Sequence, residues 1–192
     1  MPRLAHSFLA LCFALPLAAC GSDTEAEVEA PVEEAPLSAT ARVDPLGEST
    51  IAGTVTFTEV DGGVRVAYDL TGLEIGDHGF HVHETGECGR GDDGTLGGAA
   101  GGHYNPLDAP HGPQSAGREG RHVGDLGNIT STAGGVTGGV SKGEFVDPLL
   151  ELSGPNSIVD RAMMVHFKAD DLTSQPSGDA GDRIGCGPIR MQ

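Results

Sequence analysis

The stretch "STIAGTVTFTEVDGGVRVAYDL", Ser49 to Leu70, most narrows what this chain can become. Apolar residues alternate with polar or small ones on both sides of Asp61-Gly62-Gly63. A period of two on either side of a glycine-bearing turn is the pattern of a β-hairpin. Further short runs of strand character cover residues 39–43, 78–84, 121–129, 135–141, 161–167 and 183–189. No stretch between them shows the apolar spacing of an amphipathic helix. With 31 glycines, no tryptophan and 4% aromatic residues, the core must rest on Val, Ile, Leu, Ala and a few Phe. The expected fold is all-β, an eight-stranded antiparallel Greek-key β-barrel or sandwich. Two long connections, residues 85–120 and 168–182, lack strand patterning, and long loops of this kind in a compact domain carry function.

The first 38 residues have a different character. One Arg precedes an apolar run from Phe8 to Leu17 that ends in small residues, the pattern of a secretory signal and too short for a membrane span. "LAAC", Leu17 to Cys20, resembles the lipobox of bacterial lipoproteins, which implies cleavage after residue 19 and lipid on Cys20; an ordinary secretory signal is the alternative. Residues 21–38 contain six acidic residues, no basic ones and little apolar surface. Such a segment cannot offset its ordering entropy and is expected to be a tether. The expected organisation is a signal peptide over 1–19, a lipidated Cys20 with its tether over 20–38, and one domain over 39–192, in a protein anchored to a bacterial envelope membrane. Of the four cysteines, Cys88 and Cys186 remain for the domain, and an even pair in an exported chain reads as a disulfide rather than two free thiols. The domain carries a formal charge of about −12, which excludes nucleic-acid binding by bulk electrostatics.

Three of eight histidines fall in "HGFHVHE", His78 to Glu84. On a strand, His81 and His83 share a face while Phe80 and Val82 take the other, so two imidazoles can grip one ion. His78 alone reads as a packed, hydrogen-bonded residue. The segment from His103 to Asp125 adds His103, His111, His122 and Asp125, a tetrahedral donor set suited to a closed zinc site. His166, in "AMMVHFKADD", gives the first pair a third imidazole, and a site rich in histidine suits copper.

"HGFHVHE", "GGHYNP", "HVGDLGN", "VHFKADD" and "GDAGDRIGCG" together, in this order, resemble the motifs of copper/zinc superoxide dismutases, from about Ala39 to the chain end. The resemblance implies one copper on His81, His83, His103 and His166, and one zinc on His103, His111, His122 and Asp125, with His103 bridging the two. It further implies that Asp170 links a copper histidine to a zinc histidine, that His78 is structural, and that Arg183 guides the anion. The implied reaction is dismutation of superoxide to dioxygen and hydrogen peroxide by a redox-cycling copper beside a structural zinc, with His103 carrying a proton. A copper- and zinc-binding envelope lipoprotein of the same fold without turnover is the alternative. Two departures stand out: Phe167 follows the last copper histidine, and the connection from His166 to Arg183 is short, with Lys168 its only cation. The homodimer of the eukaryotic relatives is a possible assembly, although Pro188 interrupts the apolar pattern of the last strand.

Overall fold

The computed structural model describes residues 35–192 except Thr137. The expected signal peptide, Cys20 and nearly all of the acidic tether lie outside the described residues. Among them, eight strands follow in the order β1 (Ser38–Pro45), β2 (Ala52–Val60), β3 (Gly63–Leu73), β4 (Gly76–His83), β5 (Asp125–Ala133), β6 (Gly139–Asp147), β7 (Ala162–His166) and β8 (Arg183–Met191). All pair antiparallel and close into a barrel in the spatial order β1-β2-β3-β6-β5-β4-β7-β8. Only Glu74 and Ile75 separate β3 from β4, yet β3 pairs with β6 while β4 pairs with β5 and β7. That change of partner makes the barrel a Greek key. A closed barrel leaves no strand edge for stray pairing. No helix among the described residues is long and apolar enough to cross a membrane.

The expected hairpin is β2 and β3, in register from Val60 opposite Gly63 to Ala52 opposite Thr71. Near its far end β3 bulges between Thr71 and Leu73, where Gly72 has φ +80°. A Cβ there would stand 2.1 Å from the Thr50 carbonyl oxygen, so only glycine lets the chain approach so closely. Alternate residues of the strands fill the core, among them Val55, Phe57, Val66, Leu70, Phe80, Val82, Ile129, Val165 and Ile189, all within 1% of full burial.

Several boundaries differ from the expected ones. β1 begins at Ser38, and Leu37 already accepts a bond from Glu59 N, so the domain starts inside the expected tether. Residues 121–124 form a turn, because Asp125 Oδ2 accepts from His122 N and the Arg121 guanidinium donates to the carbonyls of His122, Val123 and Asp125. The strand expected over 135–141 starts at Gly139, after a turn in which Gly135 N bonds Gly138 O, and continues to Asp147 through a polar run that masks its strand character. Pro188 does not break β8, whose neighbour Ile189 N donates to Arg161 O on the β7 side. The loops before β5 and β8 are long as expected. A third, residues 148–161, joins β6 to β7.

Candidate metal centre

β4 places Phe80 and Val82 in the core and turns His81 and His83 to the other side, where the two long loops cover them. His166 ends the neighbouring β7, and His103 pairs with His83 across an isolated bridge. The four imidazoles of His81, His83, His103 and His166 offer nitrogens that lie within 4.8 Å of one another, and all four residues are buried. Each of the three outer rings is pinned by one nitrogen and offers the other. His81 Nε2 meets Asp170 Oδ2 at 2.8 Å, His83 Nδ1 meets Gly101 O at 3.0 Å, and His166 Nδ1 meets Gly181 O at 3.1 Å. Pinning one ring nitrogen fixes tautomer and orientation for a metal at the other. His83 Nε2 and His166 Nε2 stand 3.3 Å apart, and His81 Nδ1 is buried without a hydrogen-bond partner.

The second group, His103, His111, His122 and Asp125, has the same compactness. The Nδ1 atoms of His103, His111 and His122 lie 2.7, 3.0 and 3.1 Å from one oxygen, Asp125 Oδ1. Asp125 Oδ2 is taken up by Gly112 N and His122 N. Four donors around a tetrahedral ion with bonds of roughly 2 Å stand about 3.3 Å apart, so the spacing of the three nitrogens from Asp125 Oδ1 is compatible with a zinc site. His103 belongs to both groups. Its Nδ1 faces Asp125, and its Nε2 is buried without a hydrogen-bond partner.

The electrostatics favour neutral rings at His83, His103 and His166. Burial, followed by the neighbouring histidines and Arg183, holds His83 and His166 well below the usual imidazole range. Burial also lowers His103 to about 4, although Asp125 pulls the other way. A neutral imidazole presents the lone pair that a metal needs. At His111 burial again lowers, but Asp125 and Asp170, one at each ring nitrogen, outweigh it and raise the group to about 9. Burial raises the Asp125 and Asp170 carboxyls, and the histidine hydrogen bonds overcome it and hold both well below the ordinary carboxylate range. Both carboxyls are therefore ionised, and each faces imidazoles of the donor sets.

Asp170 bridges the groups, with Oδ2 on His81 and Oδ1 on His111 Nε2 at 3.0 Å. Both ring nitrogens of His78 face carbonyls, His166 O at 2.9 Å and Glu74 O at 3.0 Å, so it offers no donor to either set. A pocket of about 410 Å³ opens onto His83, His103, His122, His166 and Arg183. Arg183 Nη1 and Nη2 donate to Gly97 O and Gly101 O at 2.5 and 2.7 Å, leaving part of its five-donor fork for an anion. Phe167 is 43% exposed and absent from the pocket lining. Cys88 and Cys186 form a disulfide with Cα atoms 5.7 Å apart.

Sequence reasoning missed Arg121 and Asp147, a fully buried bidentate pair at 2.7 Å that fastens the His122–Asp125 turn to the end of β6. It also missed Asn128, whose amide closes two bonds with the main chain of Asp170. Asn128 lies inside a quoted motif, and an amide beside a metal-binding turn was the available signal.

Among known proteins, the family profile described as "Copper/zinc superoxide dismutase (SODC)" matches residues 51–189. The chain is 41% identical over 145 residues to an extracellular superoxide dismutase [Cu-Zn] of Caenorhabditis elegans, an alignment covering 72% of this chain and 61% of that protein's length. It is 41% identical over 151 residues to superoxide dismutase [Cu-Zn] A of Xenopus laevis, covering 74% of this chain and 91% of that one. The crystal structure of the clock protein EA4 superposes with a TM-score of 0.68 at 38% identity, over 83% of this chain and 98% of that one.

Proposed function

From the premise that this chain belongs to the copper/zinc superoxide dismutase family, whose members hold one copper and one zinc, we propose that it dismutates superoxide to dioxygen and hydrogen peroxide. The proposed copper ligands are His81, His83, His103 and His166, and the proposed zinc ligands His103, His111, His122 and Asp125. The observation that carries this reading is the position of His103, which belongs to both donor sets, with Nδ1 2.7 Å from Asp125 Oδ1 and a buried Nε2 without a hydrogen-bond partner. Bound copper supplies a one-electron couple, and bound zinc a redox-silent positive charge.

The chain's own groups do the rest. Arg183 reaches the pocket from the start of β8 and meets a small anion with charge-assisted hydrogen bonds, while Gly97 and Gly101 fix its direction. His103 Nε2 is the atom that can take up a proton and return it, because Nδ1 remains committed to the Asp125 side. Asp170 holds His81 and His111 in one tautomer each. The closed zinc-type set, with every donor from protein, has no open position for a hydrolytic water.

The proposal extends to location. The signal-like residues 1–19 and the cysteine at position 20 support export and a lipid anchor on a bacterial envelope membrane, with the acidic segment as tether. The disulfide fits an oxidising compartment, and the name of the nematode relative describes an extracellular enzyme. The test is superoxide consumption by protein loaded with both metals against protein loaded with zinc alone. Fast second-order loss only in the first supports dismutation. Equal rates, with copper bound in the first sample, leave a metal-binding protein without turnover.

A further inference from the structure

The short loop before β8 does more than shorten the path from His166 to Arg183. Gln175 Oε1 accepts from His111 N at 2.8 Å, and Gln175 Nε2 donates to His111 O at 2.9 Å. One carboxamide thus closes both sides of the main chain of His111, and no other hydrogen bond holds those two atoms among the described residues. The next two residues, Pro176 and Ser177, line the pocket over His103, His166 and Arg183. Gly178 then packs on the Asp170–His111 contact, where a Cβ would stand 1.8 Å from Asp170 Oδ1 and 2.7 Å from His111 Nε2.

The loop holds itself in this shape. Asp171 accepts from Thr173 N, Ser174 N and Ser174 Oγ, while Gly178 N donates to Ser174 O and Asp171 N to Gly178 O. Gln175 is exposed at the surface of this knot, yet its amide is turned inward onto a buried residue. An exposed side chain loses rotamer entropy when held in one place, so a fixed, doubly bonded Gln reflects a geometric requirement at its target.

We infer that Gln175 is a positioning residue for zinc: it fixes the backbone of His111 so that Nδ1 points at the other three donors, and through Pro176 and Ser177 it joins that ligand to the wall of the substrate pocket. This rests on the assignment of His111 to zinc. Asp170 orients the His111 ring from Nε2, whereas Gln175 sets where the ring is attached, and the two constraints are independent. Loss of an outer partner of a metal-binding histidine typically weakens binding by about 10- to 100-fold. A main-chain clamp on one of four ligands belongs at the lower end of that range.

The experiment uses the full chain with Gln175→Ala and Gln175→Met, the second keeping length and bulk without the amide. Zinc affinity is measured by chelator competition on copper-free protein, copper affinity separately, and visible absorption after Co(II) substitution reports the geometry of the zinc set. The expected result is zinc affinity lower by about tenfold in both variants, an altered Co(II) spectrum, and copper affinity within about twofold of the parent. Unchanged zinc affinity overturns the inference, as does an equal fall in both metals, which would mark Gln175 as general loop packing. A parent chain that fails to bind one zinc with a tetrahedral Co(II) spectrum overturns the zinc assignment itself.

Discussion

His103 differs from the other six histidines between His78 and His166 in belonging to both donor sets. His83 and Asp125 each serve one set, so their removal separates the sets. His83→Ala is expected to weaken copper by more than about 100-fold, beyond the loss caused by an outer partner, and to leave zinc content near the parent value. Asp125→Ala should lose zinc first. Metal analysis after dialysis checks both, and parallel loss of both metals in both variants contradicts the partition. The two donor groups were legible in the sequence because histidine and aspartate declare donor chemistry by identity, and the H-x-H spacing on a strand puts two rings on one face. Arg121 was not legible in the same way. Its partner Asp147 lies 26 positions away at the end of β6, and only the folded barrel brings them together. Arg121→Met is expected to destabilise the fold by about 3–5 kcal/mol, because it leaves Asp147 as an unpaired buried charge. A melting temperature within 2 °C of the parent, by the size scaling for domains this large, would contradict it.

At the scale of elements, the disulfide and Arg183 belong to one device. Cys88 opens the loop whose residues Gly97 and Gly101 accept from Arg183, and Cys186 lies three positions after that arginine on β8. Closing a loop of roughly 100 residues is worth at most about 4.7 kcal/mol in the chain-entropy model. Cys88→Ser should therefore lower the melting temperature and also lower activity per bound copper at temperatures where the protein is folded. Arg183→Ala should lower turnover with little change in melting or copper content. If the two losses in log activity simply add in the double variant, the disulfide does not act through Arg183. A third substitution in the same region reports on Asp170. Gly178 has φ +67°, and a methyl group there collides with the carboxylate that serves both His81 and His111. Gly178→Ala is expected to weaken both metals, which titrations of each metal would show. Strand existence was legible at all eight places, from alternation in β2 and β3 and from short runs of strand character elsewhere, but boundaries were not where side chains capture the backbone or where a polar run follows. The turn before β5 is set by Asp125 and Arg121, and the polar run Lys142-Gly143-Glu144 hides a strand whose register is fixed by β3.

For the whole molecule, the sequence and the barrel agree on eight strands, and two adjacent donor sets lie against one side of it beneath the long loops. Ligands that bind only the folded state stabilise it by mass action, about 2.7 kcal/mol at a free concentration one hundred times the dissociation constant. For a domain of this size each kcal/mol moves the midpoint by roughly 2–4 °C, so zinc at that excess should raise melting by about 5–11 °C over metal-free protein. No rise would place zinc outside the folded core. The Greek-key order was readable as an expectation, whereas the convergence of His166 on His81 and His83 required the pairing of β4 with β7. The anchor is tested by Cys20→Ser in the expressing cell, where loss of the protein from the membrane fraction is expected and unchanged fractionation contradicts lipidation. The central claim is that one imidazole, that of His103, is shared by two metals. Loading Cu(II) into both sites and recording electron paramagnetic resonance tests it most directly. The signal is expected to collapse at two equivalents, because the spins couple through the shared ring, and to reappear when zinc replaces the second copper. Two additive, uncoupled cupric signals at full occupancy would contradict it.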